Sequence, residues 1–171
     1  FPRQVPFLVM PRKIEVKARA PASVEALLQC ALSLRASRLD VVGPTVIHQV
    51  DTFYDSPNGR LKLREVTMDG TTKPAQLIFY DRGDVASPKG SDFWVAEHAR
   101  PSELDAVLGR AIGRRGVVRK TRTLVLVGQS RVHLDDVEGL GEFVEIETLL
   151  QDGQTDEEGL AILKDLKDVL G

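Results

Sequence analysis

Side chains of one charge sign recur at every second position in several segments of this sequence. Alternate residues of a β-strand lie on the same face of a sheet, so each such series forms a column of like charges. The basic columns are Arg60, Lys62 and Arg64 in one segment and Lys120 and Arg122 in another. Like charges this close repel each other, which costs stability unless a ligand or a counter-ion compensates them. The columns therefore predict a binding site rather than an ordinary solvated face.

Carboxylates follow the same alternating pattern in two further segments. Glu145 and Glu147 share one predicted strand face, and Arg131, His133 and Asp135 share another. Several Lys and Arg side chains from separate strands suit the oxygens of a polyphosphate. Carboxylates opposite them suit Mg²⁺ or Mn²⁺, which bridge phosphate oxygens. The pattern therefore predicts a small anionic substrate bound together with a divalent metal ion.

The elements that must position these residues are mostly strands. Alternating or β-rich patterns predict strands at 12–20, 39–42, 46–54, 60–68, 75–82, 91–97, 116–127, 130–137 and 142–150. Apolar residues at helical spacing predict helices at 22–36, 102–112 and 155–171. Strands that follow one another without a helix after each one favour antiparallel neighbours, so the expected class is α+β.

Local signals refine the helix predictions. Ser102 with Asp105, and Thr155 with Glu158, have the spacing of a capping box at a helix start. Cys30 lies on the apolar repeat of the first helix and is expected in the core. The residues of the third helix expected to point inward are Leu160, Leu163, Leu166 and Leu170.

Length and charge limit the classes of protein and partner. The 171 residues predict a single domain over 10–171, with 1–9 as an N-terminal extension or a cloning remnant. With 23 Lys and Arg against 25 Asp and Glu, the net charge of -2 gives no reason to expect a nucleic-acid polymer or a membrane as partner.

The first residues lack the layout of a signal peptide, so a cytoplasmic location is the default expectation. Apolar outward faces that three helices leave uncovered would suit a homodimer.

An ordered series of short blocks resembles the CYTH proteins, the triphosphate tunnel metalloenzymes. The first block, Lys13-Ile-Glu-Val-Lys17, is similar to the family signature Glu-x-Glu-x-Lys. The later blocks are Asp51-Thr-Phe-Tyr-Asp55, Gly59-Arg-Leu-Lys-Leu-Arg64, Tyr80-Asp-Arg82, Lys89-Gly-Ser-Asp92, Lys120-Thr-Arg122 and Leu134-Asp-Asp-Val-Glu-Gly-Leu-Gly-Glu-Phe-Val-Glu-Ile-Glu147. The resemblance spans about residues 10–170. It implies an eight-stranded antiparallel closed β-barrel, the triphosphate tunnel, with helices packed outside.

The resemblance also implies roles for individual residues. Those matching phosphate-binding positions are Lys17, Lys62, Arg64, Arg82, Lys89, Lys120 and Arg122. Those matching metal-binding positions are Glu15, Asp135, Glu145 and Glu147. Lys17, Lys120 and Tyr80 are the predicted catalytic residues, with Tyr80 placed to assist proton transfer. Lys13 stands where the signature has its first Glu, which removes one carboxylate and leaves the number of metal ions open.

The resemblance implies a metal-dependent reaction on a triphosphate, because the family includes inorganic triphosphatases, thiamine triphosphatases and class IV adenylyl cyclases. We expect hydrolysis of a triphosphate with Mg²⁺ or Mn²⁺ as cofactor. Inorganic triphosphate is the expected substrate, because aromatic residues make up only 5% of the chain and show no cluster suited to stacking a base. One alternative is an adenylyl cyclase that makes cyclic AMP from ATP. The other, prompted by Lys13, is a non-catalytic polyphosphate- or nucleotide-binding module.

Overall fold

Nine strands and three helices are present in the computed structural model, which describes residues 12–37, 40–80 and 93–170. The strands are β1 (Lys13–Arg19), β2 (Val41–Tyr54), β3 (Arg60–Met68), β4 (Thr71–Thr72), β5 (Ala75–Tyr80), β6 (Phe93–His98), β7 (Arg114–Val127), β8 (Ser130–Val137) and β9 (Gly141–Leu149). The helices are α1 (Val24–Ser33), α2 (Pro101–Ala111) and α3 (Asp156–Leu170), and a 3₁₀ turn follows α1 at Leu34–Ser37. None of the helices in this described part is long and apolar enough to cross a membrane.

All the strands belong to one antiparallel sheet. Its hydrogen-bonded order is β1-β9-β8-β7-β2-β3-β5-β6, with the short β4 paired to β3. The predicted α+β class with antiparallel neighbours is therefore confirmed. The predicted closed barrel is not confirmed, because within the described ranges no backbone hydrogen bonds join the edge strands β1 and β6.

The strand β2 is longer than the sequence predicts. Its 14 residues continue through Gly43 and Pro44, where the prediction placed a break between two strands. The pairing register with β7 shifts between Val42 and Thr45, so the proline is accommodated as an irregularity. A proline has no N–H to donate to the ladder, but β7 pairs with the residues on both sides of it and keeps the strand continuous.

The helices cover the apolar face of the sheet. Helices α1 and α3 pack on β1 and β7 to β9 around a core that includes Leu27, Ala31, Val125, Val132, Leu134, Ile146 and Leu163. Helix α2 packs on β2 and β3, over a smaller cluster of Tyr54, Leu63 and Ala75. The charged columns project from the opposite face, which we call the polar face, because they occupy the alternate positions of the same strands.

The two predicted capping boxes have different outcomes. At the start of α3, Thr155 N–H donates to Glu158 Oε2 at 2.8 Å and Glu158 N–H donates to Thr155 Oγ1 at 3.2 Å, which confirms the box. The box predicted from Ser102 is wrong, since α2 already begins at the preceding proline and has no side-chain cap. Asp105 instead accepts a hydrogen bond of 2.8 Å from Tyr54 Oη, which fixes α2 to the end of β2.

Two core predictions are also wrong. Cys30 is exposed, because it lies one position before the buried Ala31 and is rotated by about 100° towards solvent. Leu160 is 44% exposed, whereas Leu163 is 7% exposed. The helices α1 and α3 therefore bury narrower stripes than their apolar residues suggest.

The contrast on α3 gives a matched stability test. We expect Leu163→Ala to lower the free energy of unfolding by about 2–4 kcal/mol, because it leaves a cavity in the core. Leu160→Ala makes the same change on the exposed side of the same helix and should cost less than about 1 kcal/mol. Urea denaturation of both variants measures the difference, and equal losses would contradict this packing of α3.

Candidate functional site

The start of β3 depends on Gly59. Its φ is +61°, and a Cβ there would lie 2.7 Å from the carbonyl oxygen of Tyr80 and 2.9 Å from Phe79 Cζ. Only glycine fits such a close approach at positive φ without strain. Gly59 thus lets β3 enter the sheet beside β5, and the alternation that follows brings Lys62 and Arg64 to the polar face.

The first charged cluster of the polar face centres on Asp51 of β2. Arg64 Nε and Nη2 donate to its two carboxylate oxygens, both at 2.8 Å, and Lys62 Nζ donates to Oδ2 at 2.8 Å. Gln49, also buried, donates to the same oxygen at 3.0 Å. Burial by itself would raise the pKa of Asp51, but Arg64 and Lys62 outweigh that effect and lower the pKa to about 2. Asp51 therefore stays ionised and fixes both basic side chains.

The second cluster repeats the arrangement around Asp135 of β8, whose side chain is fully buried. Arg122 donates from Nε at 2.6 Å and from Nη2 at 2.9 Å, and Lys120 Nζ donates at 2.7 Å. Lys17 of β1 donates to the same carboxylate at 3.3 Å. Burial opposes ionisation, but Arg122 and Lys120 hold the pKa of Asp135 well below its usual range.

The two clusters, which we call the Asp51 clamp and the Asp135 clamp, share one design. Each contains a Lys-x-Arg segment whose arginine lies directly opposite an aspartate on the neighbouring strand, in the pairs Arg64–Asp51 and Arg122–Asp135. The arginine forms a two-pronged ion pair with that aspartate, and the lysine binds one of its oxygens. The sheet register alone therefore positions both basic pairs.

Burial and neighbouring positive charges lower the pKa of the lysine in each clamp. Burial and the nearby Arg64 lower the pKa of Lys62 to about 8, although Asp51 acts against the shift, and the charge of Lys120 lowers it further. Burial and Arg122 likewise lower the pKa of Lys120. These repulsions between like charges show that the polar face concentrates positive charge, which is the electrostatic condition for binding an anion.

Glu145 and Glu147 of β9 lie beside the Asp135 clamp and next to β1. Lys13 Nζ binds Glu147 Oε1 at 2.6 Å and Glu15 Oε2 at 2.8 Å. Glu145 Oε2 accepts from Lys17 at 3.0 Å and from Arg122 at 3.1 Å. Lys13 stands where the family signature has a glutamate. Instead of adding a third carboxylate, it forms ion pairs with Glu15 and Glu147.

One histidine completes this acidic region. Ligand atoms of His133, Glu145 and Glu147 all lie within 4.8 Å of one another, which makes them a group that could hold a metal ion. Burial by itself would raise the pKa of Glu145, but His133, Arg122 and Lys17 outweigh it and hold that pKa low. Glu145 is therefore ionised, the state in which a carboxylate binds a metal.

The structure brings most of the predicted site residues to one face. Among the described residues, basic side chains outnumber carboxylates in the ion pairs of this face, which join Lys13, Lys17, Lys62, Arg64, Lys120, Arg122 and Arg131 to Glu15, Asp51, Asp135, Glu145 and Glu147. Tyr80 lies on β5 at the same face, with Lys62 Nζ 5.6 Å from its ring centroid. Arg82 and Lys89 lie outside the described residues, so their predicted roles stay predictions.

Three residues of the polar face were not predicted as site residues. Asp51 and Gln49 form no column of like charge. Asp51 begins one of the blocks that resemble the family but was given no role, and the signal for Gln49 was a polar side chain at an alternate position of a strand. His133 shares a column with Asp135, but a single histidine in a strand is more often a packed residue than a ligand. Contacts across strands are needed to see what these three residues bind.

The chain belongs to the CYTH domain family, whose model matches residues 11–171. The resemblance drawn from the sequence blocks is therefore confirmed. A search of curated proteins found no significant match to this sequence.

Solved structures with the same fold come from very different proteins. PH1012 protein from Pyrococcus horikoshii OT3 is 22% identical, with a TM-score of 0.71 over 93% of this chain and 90% of that chain. A candidate adenylate cyclase from Vibrio parahaemolyticus is 17% identical, with a TM-score of 0.58 over 93% of this chain and 84% of that chain. A chain of the Schizosaccharomyces pombe Mediator head module is 12% identical, with a TM-score of 0.60 over 92% of this chain and 94% of that chain. At these identities the likeness shows the fold, and function must be argued from the site.

The Asp135 clamp can be tested by removing its charge. We expect Asp135→Asn to lower the free energy of unfolding by about 3–5 kcal/mol, because Arg122, Lys120 and Lys17 would lose the carboxylate that compensates them. Asp136→Asn is the matched control, since Asp136 is the exposed next residue of β8. Denaturant titration measures both, and a loss below about 1 kcal/mol for Asp135→Asn would show that the clamp is not held by this carboxylate.

Proposed function

We propose that this protein is a divalent-metal-dependent triphosphatase that acts on inorganic triphosphate. One observation carries the proposal: two Lys-x-Arg clamps lie on the same face as the carboxylates Glu145 and Glu147 of β9. A linear triphosphate with its metal ion has the matching charges, because its oxygens need several cationic donors and its metal needs carboxylate ligands. Membership of the CYTH domain family supports the same reaction class.

The clamps keep donors for a substrate after binding their aspartates. Arg64 and Arg122 each use Nε and Nη2 for the aspartate, and Arg122 Nη2 also donates to Glu145. Arg64 therefore keeps N–H groups on Nη1 and Nη2, and Arg122 keeps those on Nη1. An ammonium has three N–H groups, so Lys62 and Lys120 also retain donors. The aspartates thus orient the cationic side chains and still leave them N–H groups that can donate to a phosphate. Lys17 adds another cationic side chain from β1.

Asp135 has a different role in this proposal from the metal ligand that the resemblance implies. Its oxygens already accept hydrogen bonds from Arg122, Lys120 and Lys17. Binding a metal would require this buried carboxylate to give up charged partners. We therefore assign Asp135 to positioning the phosphate-binding side chains, as Asp51 does in the other clamp.

Metal binding falls to Glu145 and Glu147, with Glu15 beside them on β1. A divalent ion held there would neutralise negative charge on the phosphate oxygens. The loose transition state of phosphoryl transfer asks mainly for positioning and charge stabilisation, which the fixed cations provide, and makes little demand on a general base. Lys17 and Lys120 are the proposed catalytic cations, and the Tyr80 hydroxyl is the proposed group for proton transfer.

Adenylyl cyclase activity is the competing function, and one contact favours it. Phe53 and Tyr80 both lie near Lys62, with 5.6 Å from Lys62 Nζ to each ring centroid. An aromatic ring beside a phosphate-binding lysine could stack a base, which the sequence did not suggest.

Parallel assays with inorganic triphosphate, ATP and thiamine triphosphate, in Mg²⁺ and then Mn²⁺, separate the two functions. Phosphate release from inorganic triphosphate supports the proposal, cyclic AMP as the main product from ATP replaces it with a cyclase, and triphosphate binding without turnover replaces it with a binding module.

The metal-binding role predicts a variant that binds but does not turn over. We expect Glu147→Gln to lower kcat for triphosphate by about 100-fold or more, because charge stabilisation in the transition state is lost. Its affinity for triphosphate measured without metal should change little. Glu142→Gln on the same strand is the matched control, since Glu142 is exposed. Unchanged turnover in Glu147→Gln would refute the assignment.

The low pKa of Lys62 predicts pH-dependent binding. A bound triphosphate raises this pKa above its value of about 8 in the free protein. The Lys62 charge therefore contributes fully to triphosphate affinity when the pH is well below 8. As the pH rises above 8, the affinity for triphosphate falls by up to about tenfold per pH unit. The fall ends where the pH reaches the pKa of Lys62 in the complex. Lys62→Arg stays charged and should lose this slope.

Calorimetric titration without metal at pH 7, 8 and 9 measures the effect. The ionisation of triphosphate itself is the same for both proteins and cancels in the comparison. Identical pH slopes for the wild type and Lys62→Arg would contradict the assignment to Lys62.

A further inference from the structure

The geometry points to His133 as a third metal ligand, which with Glu145 and Glu147 forms a mixed nitrogen and oxygen site for a first-row transition cation such as Mn²⁺. The inference rests on the proposed metal-dependent function of the polar face. The inference adds a ligand that the sequence resemblance does not supply. It also predicts that the site binds Mn²⁺ more tightly than Mg²⁺.

His133 has an unsatisfied polar atom in the interior. The residue is 5% exposed, and its Nδ1 is buried without a hydrogen-bond partner among the described residues. Its nearest acidic atom, Glu145 Oε1, is 3.6 Å away, beyond normal hydrogen-bond length. Leaving such an atom unpaired costs about 1–3 kcal/mol, so its persistence points to a bound partner.

The register of the sheet directs this atom towards the carboxylates. His133 of β8 lies directly opposite Glu145 of β9, and Arg131 lies opposite Glu147, so the three candidate ligands are neighbours on one face. Their ligand atoms lie within 4.8 Å of one another. Ligands around a cation with bonds of about 2.1 Å are roughly 3–4.3 Å apart, so small side-chain rotations bring all three into range.

The ion pairs leave suitable oxygens on this side. Glu145 directs Oε2 to Lys17 and Arg122, whereas its Oε1 is the oxygen nearest His133. Glu147 binds Lys13 through Oε1, and its Oε2 is 3.6 Å from Arg131. Among the described residues the cations therefore hold Oε2 of Glu145 and Oε1 of Glu147, which leaves Oε1 of Glu145 beside His133. On Glu147, a metal ion would replace the long 3.6 Å contact between Oε2 and Arg131.

The imidazole decides which metal this site favours. Mg²⁺ and Ca²⁺ take oxygen ligands almost exclusively. Mn²⁺ also suits carboxylate oxygens but, as a first-row transition cation, accepts an imidazole nitrogen more readily than Mg²⁺ does. A site of one histidine and two glutamates should therefore bind Mn²⁺ more tightly than Mg²⁺. Removing the histidine should reduce that preference.

Electron paramagnetic resonance of Mn²⁺ added to the protein, without substrate, tests the ligand directly. Spin-echo modulation from ¹⁴N reveals a coordinated imidazole. We expect it in the wild type and in His48→Gln, whose histidine is exposed on the opposite face of the sheet. We expect it to be lost in His133→Gln, together with a fall of roughly tenfold or more in Mn²⁺ affinity and a smaller preference for Mn²⁺ over Mg²⁺.

Labelling the wild type with ¹⁵N-histidine provides a test that does not depend on the folding of a variant. The ¹⁴N modulation should be replaced by ¹⁵N couplings. Bound Mn²⁺ with no histidine coupling in the wild type overturns the role of His133 but leaves metal-dependent hydrolysis intact. Absence of Mn²⁺ binding overturns the inferred site, and the triphosphate hydrolysis assays with Mg²⁺ then decide separately whether the triphosphatase proposal stands.

Discussion

Two buried aspartates hold the basic side chains of the polar face, and the arrangement of the site depends on those ion pairs. An unpaired ammonium or guanidinium removed from water costs several kcal/mol, and neighbouring positive charges add repulsion. Asp51 and Asp135 each compensate an arginine and a lysine through two carboxylate oxygens. Because these cations keep further N–H groups, they can be both fixed and available to an anion.

The sheet makes this possible through its register. Each clamp joins two hydrogen-bonded strands, so backbone pairing sets the distance between aspartate and arginine before any side chain adjusts. The helices pack on the opposite face, where the core lies. The same fold occurs in a chain of the Mediator head module, so the fold supplies the framework and the charged side chains must supply the chemistry.

The carboxylates of the polar face divide into two kinds. Asp51 and Asp135 serve the basic side chains, whereas Glu145 and Glu147 lie where His133 approaches them. The resemblance treated Asp135 and the glutamates as equivalent, because the sequence shows an acidic residue at each position and not its partner. Bidentate pairing with an arginine distinguishes the aspartates, and it depends on the register between two neighbouring strands, which the residue type by itself does not show.

The sequence by itself determined most of the strands, their charged columns, the antiparallel class and the family, because alternation and short blocks are local properties. Only the tertiary structure decided that β2 runs unbroken past Pro44, that Cys30 and Leu160 face outward, and that His133 meets Glu145. Strand order and register decide which columns become neighbours. Those depend on packing and hydrogen bonding summed over the whole sheet, which no local pattern encodes.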